Sequence, residues 1–124
     1  MAPRESPARG RVLVVEDEEL LRWSIGRYLE RHGFAVDLVG DGAAAMDRLA
    51  SRAYDVVVTD LAVGGTDGLA IAAQARSLRT EVQVVVITGQ SSKDSILKAL
   101  RQGVADYIEK PFDLELLLLT VERA

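Results

Sequence analysis

Five polar side chains stand at the end of short apolar runs or directly after them. Glu16 and Asp17 follow the first run, Asp60 closes a run rich in valine, Thr88 ends another, and Lys110 follows the last. Short β-branched runs of this kind are typical of buried strands in a parallel sheet. The carboxyl ends of parallel strands share one edge of the sheet, where ligands bind in open α/β folds. The five side chains are therefore predicted to converge on one site.

Three carboxylates, a lysine and a threonine together suit phosphoryl chemistry. Carboxylate oxygens are hard ligands that suit Mg²⁺, which binds through one or two carboxylates together with phosphate oxygens. The metal offsets the repulsion between the carboxylates and leaves one of them free to attack phosphorus, which gives an aspartyl phosphate. Lys110 offers a cation and Thr88 a hydroxyl for the charge on the phosphoryl oxygens.

The bulk composition narrows the classes of protein and site. A chain of 124 residues favours one domain. A net charge of −4 without a basic block argues against direct nucleic-acid binding. The absence of cysteine and the single histidine exclude thiolate and multi-histidine metal sites. No apolar run approaches the ~20 residues of a membrane span, and the N-terminus has no signal-peptide pattern, so we expect a cytoplasmic protein without membrane contact.

Five predicted strands alternate with five predicted helices after an N-terminal stretch, residues 1–10, that is predicted to be a flexible tail. Strict alternation predicts an α/β domain whose parallel sheet is covered by helices on both faces. The expected helix caps are Asp41, either Thr66 or Asp67, Ser91 and Asp113. The strands are predicted at 11–15, 34–39, 54–59, 82–87 and 104–108, and the helices at about 18–32, 42–51, 67–78, 91–103 and 113–124.

The sequence resembles the receiver domain of two-component response regulators. The resemblance rests on the pair Glu16-Asp17, on Asp60 in Val-Val-Thr-Asp-Leu, on Asp67-Gly68, on Thr88-Gly89 and on Lys110-Pro111. It covers about residues 11–123, so 11–124 is interpreted as one receiver domain. The segments around Arg22-Trp23 and 106–113 are similar to receivers of the nitrogen-regulation (NtrC-like) type.

The resemblance implies a role for each residue of the predicted site. Asp60 would be the phosphoacceptor, Lys110 its phosphate-pairing lysine, and Thr88 and Tyr107 the residues that move on phosphorylation. Mg²⁺ would be held by Asp17, Asp60 and the backbone carbonyl of Ala62, with Glu16 acting partly through water. The family further implies a flavodoxin-like sheet with strand order 2-1-3-4-5 and a cis bond between Lys110 and Pro111.

The resemblance also implies partners. A sensor histidine kinase would donate the phosphoryl group. The surface of the fourth helix, fifth strand and fifth helix would then control an output domain that activates transcription. The same surface could also form a homodimer. The chain stops in the middle of the last helical pattern, at residues 121–124, so we expect a longer protein whose output domain is missing from this chain.

The loop after Asp60 departs from the family, which usually has Met-Pro-x-Met before Asp-Gly. Here Val63-Gly64-Gly65-Thr66 stands in its place, and two glycines are expected to make the free loop more mobile. Ala62 and Gln90 flank the site where the family tunes the lifetime of the phosphoryl group. Because both residues are uncharged, we expect no strong acceleration of hydrolysis.

Two apolar features lie outside the predicted core pattern. Trp23 is roughly opposite the apolar stripe of the first helix, so it is expected to be partly exposed and to touch a partner. Consecutive leucines point all round a helix, so part of the run in the last helix is predicted to form an interface. The leucines assigned to this interface are Leu116, Leu117, Leu118 and Leu119.

Three alternatives stay open at this point. Tyr107 is also explained as an aromatic packed across the sheet, without a switching role. The fold and acidic site also suit a Mg²⁺-dependent phosphatase, although no segment for a cap domain or substrate pocket is evident. A receiver-shaped interaction module without phosphoryl chemistry is the third alternative. The intact set of Asp17, Asp60, Thr88 and Lys110 favours a signalling phosphoacceptor over an enzyme with turnover or a pure binding module.

Overall fold

The computed structural model describes residues 9–63, 65–79, 81–89 and 93–124, with Lys93 described by its backbone alone. Within these residues, no helix has both the length and the apolar character needed to cross a membrane. The elements in chain order are β1 (Arg11–Val15), α1 (Glu19–Arg31), β2 (Ala35–Val39), α2 (Gly42–Ser51), β3 (Val56–Asp60), β4 (Ala62–Val63), β5 (Thr66–Asp67), α3 (Gly68–Leu78), β6 (Gln83–Thr88), α4 (Lys93–Arg101), β7 (Asp106–Glu109) and α5 (Leu114–Arg123).

Five strands form one parallel sheet in the order β2-β1-β3-β6-β7. Because β6 and β7 are the fourth and fifth strands expected from the sequence, the predicted order 2-1-3-4-5 is confirmed. The direction of winding reverses between β1 and β3, which is where α/β sheets of this type bind ligands. Glu16 follows β1 and Asp60 is the last residue of β3, so both stand at this crevice.

Each face of the sheet has its own apolar core, because successive side chains of a strand point to opposite faces. On one face, strand valines pack with Leu29 of α1 and Leu117 of α5. On the other, the opposite set packs with Ile71 of α3 and Ala99 of α4. The helices therefore cover both faces, and the predicted doubly wound α/β class is confirmed.

Strand β3 is placed differently from the expected range of 54–59. It covers Val56–Asp60, and Asp60 pairs in register with Ile87 of β6. Tyr54 precedes the strand and is buried in the core. Asp60 is thus held by the sheet itself and not only by the loop that follows it.

A short antiparallel ribbon follows β3, which the sequence did not predict. In it Ala62 pairs with Asp67 and Val63 with Thr66. Gly65 has a φ of 89°, a left-handed conformation that glycine adopts without strain. Two-residue strands are too short to show a period of two, so pattern analysis misses them.

Helix capping agrees with the sequence at two of the expected positions. Asp41 Oδ1 accepts a 2.7 Å hydrogen bond from the Ala44 N–H, and Asp67 Oδ1 accepts one of 2.9 Å from the Leu69 N–H. Asp113 is the N-cap residue of α5, as predicted, but its exposed carboxylate makes no capping hydrogen bond. The expectations for residues 1–8, Gly64, Gln90 and Ser91 lie outside the described residues.

A partly buried hydrogen bond joins Tyr54 to the edge strand β2. The Tyr54 hydroxyl donates a 2.6 Å hydrogen bond to Asp37 Oδ2. Burial and the Asp37 carboxylate raise the pKa of Tyr54 to about 12. The folded state therefore holds this proton more tightly than the unfolded state, whose tyrosine pKa is about 10. The resulting stabilisation is complete below about pH 10 and is lost as the pH rises toward 12.

Tyr54→Phe is expected to lower the free energy of unfolding at neutral pH by about 1 kcal/mol, because one partly buried hydrogen bond is lost. Asp37 keeps Arg52 at 3.2 Å, so its charge stays paired. The variant should also lose less stability than the wild type as the pH is raised above 10. Urea unfolding at neutral and alkaline pH measures both effects, with Tyr28→Phe as the control. Parallel stability curves for Tyr54→Phe and the wild type would contradict this account.

Candidate functional site

Side chains from three strand ends meet at the carboxyl edge of the sheet. Lys110 Nζ lies 2.7 Å from Asp60 Oδ2 and 3.1 Å from Glu16 Oε1. Lys110 follows β7, whereas Glu16 and Asp60 belong to β1 and β3 or to the residues directly after them. The structure therefore brings together these predicted residues, which are far apart in the sequence.

Both carboxylate oxygens of Asp60 are held before any reaction. Oδ1 accepts a 3.1 Å hydrogen bond from the Ala62 N–H, and Oδ2 accepts the hydrogen bond from Lys110. Asp60 is 8% exposed, so it is shielded but still borders the surface. The carboxylate thus has one fixed orientation. A fixed orientation favours nucleophilic attack, because the attacking oxygen must lie in line with the bond that breaks.

Glu16 is fully buried, which is unusual for a carboxylate. Its Oε2 accepts a 3.0 Å hydrogen bond from the Glu18 N–H. Its Oε1 is the one buried side-chain oxygen or nitrogen of the described residues without a hydrogen bond, although it forms an ion pair with Lys110 Nζ at 3.1 Å. Burial raises the pKa of Glu16, and the Glu18 amide and Lys110 oppose that shift. An additional cation would stabilise the buried charge.

Lys110 is the cation that the site already contains. Burial by itself lowers the pKa of Lys110, but its hydrogen bond to Asp60 and the neighbouring carboxylate charges of Asp60 and Glu16 outweigh burial and raise it. Its backbone N–H donates a 2.8 Å hydrogen bond to the carbonyl of Thr88, which is buried at the end of β6. The Lys110–Pro111 bond is cis, as the resemblance implied.

A divalent cation fits the acidic side of this site. Glu16, Asp17 and Asp60 each offer a carboxylate oxygen, and the three oxygens lie within 4.8 Å of one another. Three carboxylates against one ammonium leave the site with an excess of negative charge. Hard oxygen donors, excess negative charge and the unbonded Oε1 of Glu16 together suit a hard cation such as Mg²⁺ or Ca²⁺.

The loop after Asp60 is clamped where it turns into α3. The Gly68 N–H donates a 2.7 Å hydrogen bond to the Leu61 carbonyl, and the Leu61 N–H donates one of 2.9 Å to the Ile87 carbonyl. A Cβ on Gly68 would lie 2.9 Å from Leu61 Cα and would meet the Asp60 carbonyl oxygen still more closely. Only glycine fits at this position, which explains on steric grounds why glycine follows Asp67.

Arg22 contributes to the site in a way that the sequence did not predict. Its Nη1 donates a 2.9 Å hydrogen bond to the backbone carbonyl of Glu16. The guanidinium passes over Gly40, where a Cβ would lie 2.7 Å from Nη1. Arg22 therefore ties α1 to the acidic pair. This contact depends on the path of a long side chain, so spacing in the sequence carries no signal of it.

Tyr107 is half-buried and packs against the core on the face of α3 and α4. It lies on β7, opposite Val86 in register. This contact agrees with the alternative of an aromatic packed on the sheet. A switching role for Tyr107 stays a prediction.

The predicted interface residues are not equally exposed. Trp23 is 54% exposed, and the Arg27 guanidinium carbon lies 5.3 Å from its ring centroid. Leu116 and Leu119 are 46% and 48% exposed. The assignment of Leu117 to an interface is wrong, because it is fully buried against the sheet. Leu118 is partly buried against the same core.

The sequence matches the family "Response regulator receiver domain" over residues 12–122. It is 36% identical over 116 residues to the "DNA-binding transcriptional regulator NtrC" of Escherichia coli (strain K12), covering 94% of this chain and 25% of that protein. It is 38% identical over 108 residues to "Response regulator MprA" of Mycobacterium sp. (strain KMS), covering 87% of this chain and 47% of that protein. The chain thus spans a quarter to a half of the length of these relatives.

A similar solved structure is that of a response regulator protein from Burkholderia pseudomallei with a phosphorylated aspartic acid, a calcium ion and citrate. The TM-score is 0.84 and the sequences are 27% identical. The match covers 90% of this chain and 65% of the other.

Proposed function

The chain belongs to the response regulator receiver domain family, and we propose that its Asp60 accepts a phosphoryl group from a histidine kinase. One observation carries the assignment of the residue. Asp60 has its two carboxylate oxygens fixed by the Ala62 amide and by Lys110, beside the acidic residues Glu16 and Asp17. The carboxylate of Asp60 is thus held in place beside the Lys110 ammonium and beside acidic residues that suit a metal cation.

In the proposed step a carboxylate oxygen of Asp60 attacks the phosphorus of a phosphohistidine. The new bond joins this oxygen to phosphorus, the phosphorus–nitrogen bond breaks, and the imidazole leaves with its electron pair. Lys110 is already within hydrogen-bond distance of the reacting carboxylate, so its ammonium can pair with the incoming phosphoryl oxygens. Thr88, buried at the neighbouring strand end, would supply a hydroxyl to the same oxygens.

Mg²⁺ is the proposed cofactor, with Asp17, Asp60 and the Ala62 carbonyl as ligands and Glu16 acting partly through water. When bound, it neutralises negative charge on the carboxylates and the phosphoryl group. The close carboxylate oxygens and the buried Glu16 Oε1 support this assignment. The Burkholderia pseudomallei relative, which holds a phosphorylated aspartic acid and a calcium ion, supports both parts of the proposal.

Incubation with acetyl phosphate separates the proposed function from its alternatives. With Mg²⁺ we expect the protein to gain the mass of one phosphoryl group, and without Mg²⁺ to gain none. A phosphatase would instead release free phosphate over many turnovers. A binding module without phosphoryl chemistry would show neither change, and that result would overturn the proposal. The uncharged Ala62 and Gln90 lead us to expect that the phosphoryl group is lost over minutes or longer and not within seconds.

Phosphorylation is proposed to change the surface formed by α4, β7 and α5. Thr88 ends β6, which lies between β3 and β7 in the sheet, and Tyr107 lies on β7 itself, so their movement would link Asp60 to this surface. Phosphorylation can shift the balance between an inactive and an active conformation only as far as the phosphoryl group stabilises the active one. The NtrC relative is a DNA-binding transcriptional regulator four times as long as the matched region, which supports transcription activation through an output domain outside this chain. The cytoplasm is the proposed compartment.

A homodimer through this surface would bury Leu116 and Leu119, which are exposed on α5. Leu116→Glu/Leu119→Glu is expected to weaken association of the phosphorylated domain by at least about tenfold, because apolar area is lost and charges are brought together. Sedimentation with and without acetyl phosphate measures this. Leu20→Glu, at a still more exposed leucine on α1, is the control. Equal association of the double variant and the wild type would remove this surface from the dimer.

A further inference from the structure

We propose that Gly42 and Thr66 form a positioning pair for Asp60. Through this pair, the first turn of α2 packs against the β4–β5 ribbon, which contains Ala62, and holds it in place. The inference rests on the proposed function, since it concerns how the phosphoacceptor site keeps its shape. Neither residue touches the reacting atoms. The role proposed for them is to fix the distance between α2 and the β4–β5 ribbon.

The contact between the two residues leaves no free space. Gly42 is buried, and a Cβ built on it would lie 2.5 Å from both Cβ and Cγ2 of Thr66. Carbon atoms in proteins pack no closer than about 3.5 Å without strain. Thr66 is β-branched, so its side chain has few rotamers by which to move away. Any side chain at position 42 must therefore displace the backbone of one of the two elements.

Helix α2 is the better anchored of the two elements. The Asp41 carboxylate caps its first turn with the 2.7 Å hydrogen bond to Ala44. Ala45 and Leu49 anchor the helix in the core. A displacement is therefore expected to move the short ribbon and not α2.

Movement of the ribbon would reach Asp60 through few steps. Thr66 pairs with Val63 on the opposite strand of the ribbon, directly after Ala62. The Ala62 N–H holds Asp60 Oδ1 at 3.1 Å, and the Ala62 carbonyl is a proposed Mg²⁺ ligand. Gly68 clamps the far end of the loop, so the ribbon cannot shift as a whole to relieve the strain.

Gly42→Ala is the direct test. We expect its dissociation constant for Mg²⁺, measured by calorimetry, to rise about tenfold, as is usual when the support of a metal ligand is disturbed. Phosphorylation by acetyl phosphate at saturating Mg²⁺ should also slow. Gly26→Ala is the matched control, since its new Cβ would lie 2.8 Å from Leu38 Cδ2 in another part of the core. It should lower stability yet leave Mg²⁺ binding unchanged.

Rescue separates positioning from general destabilisation. Thr66→Gly removes every side-chain atom in the contact, so Gly42→Ala/Thr66→Gly should bind Mg²⁺ as Thr66→Gly does. Thr66→Ala keeps the Cβ and should rescue only in part. If Gly42→Ala does not fold, the double variant still tests the proposal, because the proposal requires the double variant to fold and to bind Mg²⁺.

Two results would overturn the positioning pair while the wild type still takes up a phosphoryl group. One is wild-type Mg²⁺ affinity in Gly42→Ala. The other is a double variant as impaired as Gly42→Ala. A wild type that neither binds Mg²⁺ nor accepts a phosphoryl group would instead refute the proposed function itself.

Discussion

Asp60→Asn is expected to abolish uptake of a phosphoryl group from acetyl phosphate. A neutral amide cannot replace the carboxylate as a nucleophile, so the rate should fall by at least about 1,000-fold. The amide has the same shape and its oxygen can still accept the hydrogen bond from Ala62, so the fold should persist. Intact mass spectrometry in the presence of Mg²⁺ measures the uptake, and circular dichroism checks the fold.

Asp47→Asn is the matched control for this variant. Asp47 is an exposed aspartate on α2 that takes no part in the site. It should gain one phosphoryl group as the wild type does. Uptake by Asp60→Asn at the wild-type rate would assign the acceptor role to another group and would contradict the mechanism.

Lys110→Met is expected to have the second largest effect, because it removes an ammonium that forms ion pairs with both Asp60 and Glu16. The charge on the transferring phosphoryl group would lose its fixed cation, and phosphorylation should slow by about 100-fold at saturating Mg²⁺. Lys98→Met, at an exposed lysine on α4, should leave the rate unchanged. A Lys110→Met rate within a factor of two of wild type would contradict the proposed role.

The same variant should also be less stable, by about 3 kcal/mol, because Glu16 would be a buried charge without its partner. Burial already raises the pKa of Glu16, and loss of Lys110 would raise it further. A raised folded-state pKa means that the protonated form fits the fold better. The loss of stability in Lys110→Met should therefore be largest above that pKa and should shrink as the pH falls through it. Urea unfolding at several pH values, compared with the wild type, measures the difference.

The sequence predicted the convergence of the site because it follows from a general property of parallel sheets. Asp60, Glu16 and Lys110 each stand at the carboxyl end of an apolar run, and all such ends share one edge. The strand order and the cis bond before Pro111 came from the family resemblance and not from the pattern itself. The structure confirms both.

Other features depend on side-chain packing between distant segments, which no pattern in the sequence encodes. The hydrogen bond from Arg22 to the Glu16 carbonyl and the contact of Gly42 with Thr66 are of this kind. The leucine run of α5 was ambiguous for a related reason. Consecutive leucines show no helical period, so only the packed structure separates buried Leu117 from exposed Leu116 and Leu119.

The identity of the phosphorylated residue is the central claim. The most direct test is to treat the phosphorylated protein with borohydride, which reduces an acyl phosphate to an alcohol, and to sequence its peptides by mass spectrometry. We predict homoserine in place of aspartate at position 60 and at no other position. Homoserine at Asp17 or Asp67, or phosphorylated protein that gives no homoserine, would contradict the assignment of Asp60 as the phosphoacceptor.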